Sequence, residues 1–327
     1  MTDLPPFILK KFAKDTGYPI HIFEEPYFSH QLKMCERIAP ECQRTWVLFL
    51  QALQECDGPE GVSQEYRRIQ DGILTHIKST HGYKFFMQDN DPSRPMIPKK
   101  GINPYEPHNA GKRILSLDLV RANFQALSHF GRDIHMRQPT WEDFVGQFTD
   151  VEYFKYVRYL RQVTYGKLNI KKMAKYERHL AHFVYSMLKD TGLVKKAPKG
   201  SELTTLSHDE VLFLSDPEYL DLTGMEVEGF RRHFLYSSPI ETPIEIRAEL
   251  FDLEQIKPHR AFVRRFVHED KIDFRGVNKQ WYCQVVRHLY GEPIQDLDLY
   301  FRHESRLSKF VEPMEFEGRV EDGVEKG

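Results

Sequence analysis

Along the first ninety residues, apolar side chains recur at the three- and four-residue spacing that is typical of helices. The segment SQEYRRIQDGILTHIK, residues 63–78, shows this spacing most clearly. Ile69, Ile73 and Ile77 fall on one face when that segment is drawn as a helix. The pattern therefore predicts a mostly helical N-terminal region, residues 1–90.

The pattern changes after residues 91–112, a stretch rich in Pro, Asn and Lys that is typical of a linker. In RILSLDL, residues 113–119, leucines alternate with a face formed by Ile114, Ser116 and Asp118, which predicts a strand. Helices are predicted to follow at 121–130, at 140–148 with Thr140 as its cap, at 151–165 and at 170–189.

Strands dominate the predictions for the C-terminal half. In LTTLSHDEVLFL, residues 203–214, two β-favouring arms flank a charged turn, which predicts a hairpin with His-Asp-Glu at its tip. Further strands are predicted within 244–277, helices at 280–290 and 296–310, and a disordered acidic tail at 312–327. Because strands and helices are interspersed without strict βα alternation, the predicted fold class is α+β.

Composition narrows the class of protein. Hydrophobic residues make up 40% of the 327 residues and charged residues 29%, as in a folded globular chain. The sequence contains neither a long apolar run nor a signal peptide, and its four cysteines lack CxxC pairing. These features predict an intracellular protein, cytoplasmic or nuclear, that is neither secreted nor embedded in a membrane and that has reduced thiols.

Positive charge is concentrated in one block although the net charge is only −2. Residues 151–200 contain twelve Lys or Arg against three Asp or Glu, a surplus of nine positive charges. This block is either a binding site for a polyanion or a solvated helix face, and the sequence leaves both readings open. The motifs of P-loop NTPases, Rossmann enzymes and serine hydrolases do not occur, which disfavours those classes.

Acidic residues stand at the ends of two predicted strands. Asp118 closes the first strand and leads into a helix, whereas Asp209 and Glu210 lie on the hairpin. Two divalent cations bound by such carboxylates serve nucleotidyl transfer, and strand ends hold ligands rigidly. The hypothesis requires two strands to pair in space although 91 positions separate Asp118 from Asp209. The alternatives are a helix cap at Asp118 and a solvated turn at the hairpin.

Both acidic segments resemble motifs of family A DNA polymerases. DLVRANFQALSHFGRD resembles motif A, which reads roughly DYSQIELRVLAHLSGD: Asp118 falls on the metal aspartate, His129 on a histidine and Asp133 on the closing aspartate. LSHDEVLFL resembles motif C, roughly QVHDELVLE, with an identical His-Asp-Glu run. The order of the two motifs along the chain is also that of the family.

This resemblance implies a polymerase-like palm, a small antiparallel sheet with helices, at 113–235. Reduced fingers would lie at about 140–192, with residues 1–90 as a thumb-like region and 236–311 as a C-terminal α/β extension. The implied activity is template-dependent nucleotidyl transfer, in which nucleoside triphosphates extend a 3′-hydroxyl with two Mg²⁺ or Mn²⁺ ions. Nucleic acid (a primer-template) and nucleoside triphosphates are the implied partners, and a replication protein is a further candidate.

The resemblance also assigns roles to individual residues. Asp118 and Asp209 would bind the metal ions, and Glu210 would be an auxiliary catalytic carboxylate. The basic helix YFKYVRYLRQVTYG would contact the nucleotide through Lys155, Arg158, Arg161 or Gln162, and Tyr165. Contacts to primer or template are assigned to His208, Lys167, Lys171 and Lys172.

Asn123 is a further implied nucleotide-binding residue. It stands five positions after Asp118, where families A and B carry a bulky residue that excludes a ribose 2′-hydroxyl. Because Asn is smaller and can hydrogen-bond a hydroxyl, the choice between DNA and RNA stays open.

Other functions remain open at this point. A catalytically degenerate palm would act as a nucleic-acid-binding or structural component, and a metal-dependent nuclease would use the same carboxylates. The arginines within 244–277 would form either an added grip on a duplex or a plain exposed sheet face.

Overall fold

The computed structural model describes residues 4–88, 103–131, 133–190, 203–206, 210–237, 244–256 and 261–316. Its helices are α1 (Pro6–Thr16), α2 (Tyr27–Glu36), α3 (Cys42–Glu55), α4 (Pro59–Ser79), α5 (His81–Met87), α6 (Ala122–Phe130), α7 (Trp141–Val145), α8 (Glu152–Tyr156), α9 (Arg158–Gly166), α10 (Ile170–Asp190), α11 (Gly224–Ser237) and α12 (Tyr282–Leu289). Its strands are β1 (Arg113–Leu119), β2 (Leu203–Leu206), β3 (Glu210–Ser215), β4 (Ile246–Ile256), β5 (Ala261–Phe266), β6 (Ile272–Arg275), β7 (Tyr300–His303) and β8 (Arg306–Lys309). Short 3₁₀ turns lie at Pro107–Asn109, Pro217–Tyr219, Lys279–Trp281 and Asp296–Leu299. The predicted α+β class is confirmed.

The N-terminal region is helical, as predicted. The face of α4 that carries Ile69, Ile73 and Ile77 is completely buried against the rest of this region. Burial of each such side chain contributes about 1.5–3 kcal/mol to stability. A cluster of aromatic rings fills the space between the other helices and includes Phe12 and Phe49, whose ring centroids lie 5.5 Å apart.

Six antiparallel strands form the main sheet, in the order β2-β3-β1-β4-β5-β6. Between β1 and β2 the chain forms helices α6 to α10, and α11 connects β3 to β4. The first four strands therefore follow the β-α-β-β-α-β order of the split βαβ arrangement. Pairing of β1 with β3 confirms that the two acidic segments come together in space. The sheet also crosses the boundary predicted at residue 236, because β4 lies directly beside β1.

The two faces of β1 have different surroundings. Leu115, Leu117 and Leu119 belong to the large core that also contains α6 and α10. On the opposite face, Ile114 packs with side chains of β3, β4 and β5 under the ring of Tyr105. The alternation predicted from the sequence is therefore confirmed, and it places Asp118 on the sheet face opposite the three leucines.

The helix predicted for 151–165 is wrong in one respect: it is two helices, α8 and α9. Val157 has an extended backbone, with φ −69° and ψ 104°, and its side chain is buried. The change of direction lets α8 pack on α3 while α9 packs between α1 and α4. Because neither Gly nor Pro marks this break, only the tertiary packing reveals it.

The helix predicted for 296–310 is wrong, since this segment forms the hairpin of β7 and β8. Glu304 and Ser305 at its tip have φ of 47° and 66°, the consecutive left-handed conformations of a two-residue hairpin turn. The rings of Phe301 and Phe310 lie 4.2 Å apart across the hairpin. Both strands are too short to show a clear alternation of apolar and polar residues, so the apolar spacing in this segment resembles that of a helix.

Three other predicted segments agree with the structure only over part of their length or lie mostly outside the described residues. The helix predicted for 140–148 ends at Val145, although Thr140 caps it as expected by accepting from the Asp143 backbone N–H. Most of the linker predicted at 91–112 lies outside the described residues, but its described end joins the sheet through Tyr105. Most of the predicted tail also lies outside them.

Candidate functional site

Asp118 and Glu210 lie side by side where β1 ends and β3 begins. They are direct partners in the antiparallel register, so both side chains are on the same sheet face. The Cβ atoms of such partners lie about 5 Å apart. Ser116 donates a hydrogen bond of 2.6 Å to Glu210 Oε1, which fixes this carboxylate along the strand. His208 and Asp209 lie outside the described residues.

The neighbouring strand β4 brings a cation to the same place. Arg247 is the register partner of Asp118 on β4, and its Nη2 donates to Asp118 Oδ2 at 2.5 Å. Glu249 Oε1 lies 3.8 Å from Arg247 Nε and accepts from Lys271 Nζ at 2.9 Å. Burial lowers the pKa of Arg247, but the carboxylates of Glu249 and Asp118 outweigh it, so the pKa is raised.

A pocket of about 450 Å³ opens beside Asp118. The end of β1, the beginning of α6 and one face of α9 form its walls, with single residues from α10 and β4. Its lining residues are Asp118, Leu119, Val120, Arg121, Ala122, Asn123, Arg158, Arg161, Gln162, Glu177 and Arg247. The structure thus brings together four residues that the sequence assigned to the site: Asp118, Asn123, Arg158 and Arg161.

The pocket lining carries more positive than negative charge. Four of its residues are arginines, whereas Asp118 and Glu177 are its acidic residues. Arg161 is half-buried, and its solvent-inaccessible Nε has no hydrogen-bond partner in the described structure. Burial lowers the pKa of Arg161, and the nearby Arg121 lowers it further. Such a lining favours a polyanionic ligand.

The beginning of α6 has an unusual backbone. Arg121, which precedes the helix, has φ 53° and ψ 51°, a left-handed conformation that disfavours a long side chain. Its guanidinium donates to Glu142, which holds the strained turn in place. Asn123 accepts a hydrogen bond of 2.9 Å from the Phe124 N–H. Strained residues of this kind concentrate at functional sites.

Two residues predicted to bind the nucleotide lie elsewhere. Lys155 belongs to α8, beyond the break at Val157, and its Nζ donates to Glu152 at 2.7 Å. Tyr165 is buried and shares a hydrogen bond of 2.9 Å with His135 Nε2. The expected common face of Lys155, Arg158, Arg161 and Tyr165 is therefore wrong, because the helix is broken and Tyr165 points into the core.

The lysines predicted to bind nucleic acid differ in their exposure. Lys172 is buried and its Nζ donates to the Gln88 carbonyl, so it is held away from a ligand. Lys167 and Lys171 are both exposed, and Lys167 Nζ also donates to Gln70 Oε1 at 2.5 Å. In the motif A-like segment, Asp133 accepts from the Gly82 N–H at 2.7 Å, which is a structural contact.

Several basic residues predicted within 244–277 are paired inside the sheet. Arg264 is buried and bonds Asp273, while Arg265 Nε donates to Glu254 at 2.9 Å. These ion pairs connect neighbouring strands and leave their cations unsuited to gripping a duplex. Arg247 differs, because it reaches the pocket. Sequence reasoning had named it only as one of the strand arginines.

Among the described residues, one group brings three possible metal ligands together: His30, Cys283 and Asp298, whose ligand atoms lie within 4.8 Å of one another. His30 Nε2 lies 2.6 Å from Asp298 Oδ1, and Arg287 Nε donates to Asp298 Oδ2 at 3.2 Å. The carboxylate is therefore already occupied by donors. Asp118 and Glu210 offer oxygen ligands, which suit Mg²⁺ or Mn²⁺.

Comparison of the chain with protein-family models, with curated proteins and with solved structures finds no match. Within the described ranges, no helix combines the length and the apolar character that crossing a membrane requires. The site must therefore be interpreted from its own geometry.

Proposed function

We propose that this protein is a metal-dependent nucleotidyltransferase with a polymerase-like palm, which extends the 3′-hydroxyl of a nucleic acid using nucleoside triphosphates. The observation that supports this proposal best is the pocket in which the strand aspartate Asp118 meets Arg158 and Arg161 of α9. These residues belong to two segments about forty positions apart, both assigned to the site from the sequence: Asp118 through its resemblance to a family A motif, and Arg158 and Arg161 as cations of the basic helix. Their meeting in one pocket is not a consequence of local sequence.

The carboxylates fit a hard divalent cation. Asp118 and Glu210 are opposite partners on adjacent strands, and Asp209 directly precedes Glu210 in the sequence. In the proposed site these three residues hold Mg²⁺ or Mn²⁺, the ions that neutralise a triphosphate and activate the attacking hydroxyl when bound. Ser116 orients Glu210 through its 2.6 Å hydrogen bond.

The arginines would bind the triphosphate. Arg158 is exposed at the pocket, and Arg161 supplies a charge that the described structure leaves incompletely hydrogen-bonded. Guanidinium groups bind phosphate oxygens through paired N–H donors, which gives both affinity and orientation. A pocket of about 450 Å³ is within the usual size range for small-molecule ligands.

The arrangement of strands is compatible with this proposal. The split βαβ order occurs in proteins of many functions, so the topology by itself identifies no activity. It does explain why Asp118, Glu210 and Arg247 share one sheet face, since they are register partners on adjacent strands. In the proposed enzyme, this face is turned toward the nucleic acid.

Primer extension tests the proposal directly. The purified protein is incubated with a primed template, Mg²⁺ and labelled deoxynucleotides or ribonucleotides, and we expect the primer to lengthen. Asp118→Asn, Asp209→Asn and Glu210→Gln should each reduce extension by about 100-fold or more, because charge stabilisation in the transition state is lost. Asp221→Asn is the matched control: this carboxylate is 85% exposed and outside the pocket, so activity should be retained.

The same assay distinguishes the rival functions. Shortening of the primer that depends on Asp118 would identify a metal-dependent nuclease. Binding of nucleic acid without any change in length would identify a catalytically degenerate palm. Extension that is unaffected by both Asp118→Asn and Asp209→Asn would overturn the assignment of the site.

A further inference from the structure

Arg247 is paired with the carboxylate that would bind a metal ion in the proposed site. Its guanidinium donates to Asp118 Oδ2 at 2.5 Å, so one ligand oxygen of the aspartate is already neutralised by a protein cation. A metal ion and a guanidinium cannot share that oxygen closely, since both carry positive charge. Metal binding through Asp118 Oδ2 therefore requires this ion pair to open.

The surroundings of Arg247 make such opening feasible. Its side chain is 53% exposed, whereas that of Asp118 is 23% exposed. An exposed arginine can change rotamer without disturbing the core, and its long stem lets the charged group move. Glu249 lies 3.8 Å from Arg247 Nε and is itself held by Lys271, so the base of the guanidinium stays near β4.

A new partner for the released guanidinium is close by. Arg247 lines the same pocket as Arg158 and Arg161, the residues proposed to bind phosphate. The three cations converge on one cavity from two elements, Arg247 from β4 and the other two from α9. A triphosphate in this cavity offers several charged oxygens, whereas Asp118 offers one carboxylate.

We propose that Arg247 exchanges partners, pairing with Asp118 before the substrate binds and with a phosphate of the nucleoside triphosphate once substrate and metal ion are bound. This inference rests on the proposed function and adds a step to it. Arg247 keeps the aspartate neutralised until substrate and metal arrive together. The exchange couples metal binding to nucleotide binding.

This exchange predicts effects of opposite sign on two affinities. In Arg247→Gln the competitor for Asp118 is removed, so Mn²⁺ should bind the nucleotide-free protein about 3- to 10-fold more tightly. A phosphate contact is also removed, so a non-hydrolysable nucleoside triphosphate should bind about 10-fold more weakly. Electron paramagnetic resonance of Mn²⁺ and calorimetry of the nucleotide measure the two constants on the full-length protein.

Two further variants serve as controls. Arg158→Gln should weaken the binding of the nucleotide but leave the Mn²⁺ affinity unchanged, because Arg158 belongs to α9 and not to the strand beside Asp118. Arg247→Lys retains the charge, so its Mn²⁺ affinity should stay near that of the wild type. Thermal unfolding verifies that each variant is folded. If Arg247→Gln does not fold, Arg247→Lys takes its place in the nucleotide titration. Lysine lacks the paired N–H donors of arginine, so Arg247→Lys must then bind the nucleotide more weakly than the wild type. Inorganic tripolyphosphate should show the same dependence on Arg247 as the nucleotide.

The outcomes separate this inference from the proposed function. If the wild type binds neither Mn²⁺ in an Asp118-dependent manner nor the nucleotide, the proposed function fails and the exchange fails with it. If the wild type binds both and Arg247→Gln changes the two affinities in the same direction or not at all, only the exchange is overturned. In that case Arg247 has a structural role on β4.

Discussion

At the level of a single residue, Arg161 lines the pocket with a guanidinium that is incompletely hydrogen-bonded in the described structure, as Arg264 is in the sheet. The described structure gives the buried Nε of Arg161 no hydrogen-bond partner, and burial together with Arg121 lowers its pKa. A buried, incompletely paired cation costs free energy of folding. Arg121 adds backbone strain at the same place. Such destabilising features are typical of ligand-binding sites, where binding of the ligand offsets them.

We therefore expect Arg161→Met to act in opposite directions on stability and binding. The free energy of unfolding of the variant should equal that of the wild type or exceed it by up to about 1–2 kcal/mol, because a desolvated charge is replaced by an apolar side chain of similar length. Binding of nucleoside triphosphate should weaken about 10-fold or more. Urea denaturation and calorimetry measure both quantities.

Arg158→Met is the matched comparison for Arg161→Met. Arg158 is exposed on the same helix, so its replacement should weaken the nucleotide while changing stability by less than about 0.5 kcal/mol. If Arg161→Met were clearly destabilising and bound nucleotide normally, the buried guanidinium would be structural rather than a ligand group.

At the level of elements, one buried histidine joins the helices that build the pocket. His135 Nδ1 shares a 2.7 Å hydrogen bond with Ser128 of α6, and its Nε2 shares one of 2.9 Å with Tyr165 of α9. Its ring also stacks on Phe124, with centroids 4.2 Å apart. Burial, with a smaller effect from His76, lowers the pKa of His135 to about 3. The orientation of α9 therefore depends on a neutral imidazole.

This histidine predicts a loss of stability in mild acid. The unfolded chain protonates a histidine near pH 6.5 and the folded chain only near pH 3, so the contribution is fully present above pH 6.5 and declines as the pH falls toward 3. Between pH 7 and pH 5, His135 alone should lower the free energy of unfolding by about 2 kcal/mol.

His135→Gln isolates that contribution, since glutamine offers a donor and an acceptor but does not titrate in this range. The comparison is between the two pH dependences, measured by urea denaturation, because other histidines such as His21 titrate equally in both proteins. Identical pH dependence in the wild type and the variant would show that His135 is not buried as a neutral side chain.

For the molecule as a whole, an ion-pair network joins the N-terminal helices to the C-terminal segment. Asp298, which is completely buried, contacts His30 of α2 and Arg287 of α12. Glu292 binds Arg37 through two hydrogen bonds of 2.6 Å and also contacts Arg287. The Arg37 guanidinium lowers the pKa of Glu292 to about 2, despite partial burial that raises it. The ends of the described chain thus stabilise one another.

Asp298→Asn should destabilise the whole protein by about 3 kcal/mol, because it removes the charge that compensates Arg287 in the interior. A double-mutant cycle with His30→Gln should give a coupling energy of about 1 kcal/mol or more. Asp296→Asn is the control: this carboxylate is 66% exposed, and its pair with Lys309 should contribute less than about 1 kcal/mol. Additive effects of His30→Gln and Asp298→Asn in urea denaturation would contradict direct coupling.

The sequence by itself determined the elements in which the spacing of apolar side chains marks one buried face. The alternation in β1, the buried face of α4 and the two arms of the β2–β3 hairpin were all predictable, because solvent exposure imposes a period on each element. It also selected Asp118, Arg158 and Arg161, which the pocket brings together.

Only the tertiary structure decided which of these elements pack against one another. It broke the basic helix at Val157, turned Tyr165 into the core and folded residues 300–309 into a hairpin. It also placed β4 beside β1, which brings Arg247 to Asp118 across 129 positions of sequence. Local periodicity cannot encode such contacts, since the free energy that selects them comes from side chains distant in the chain.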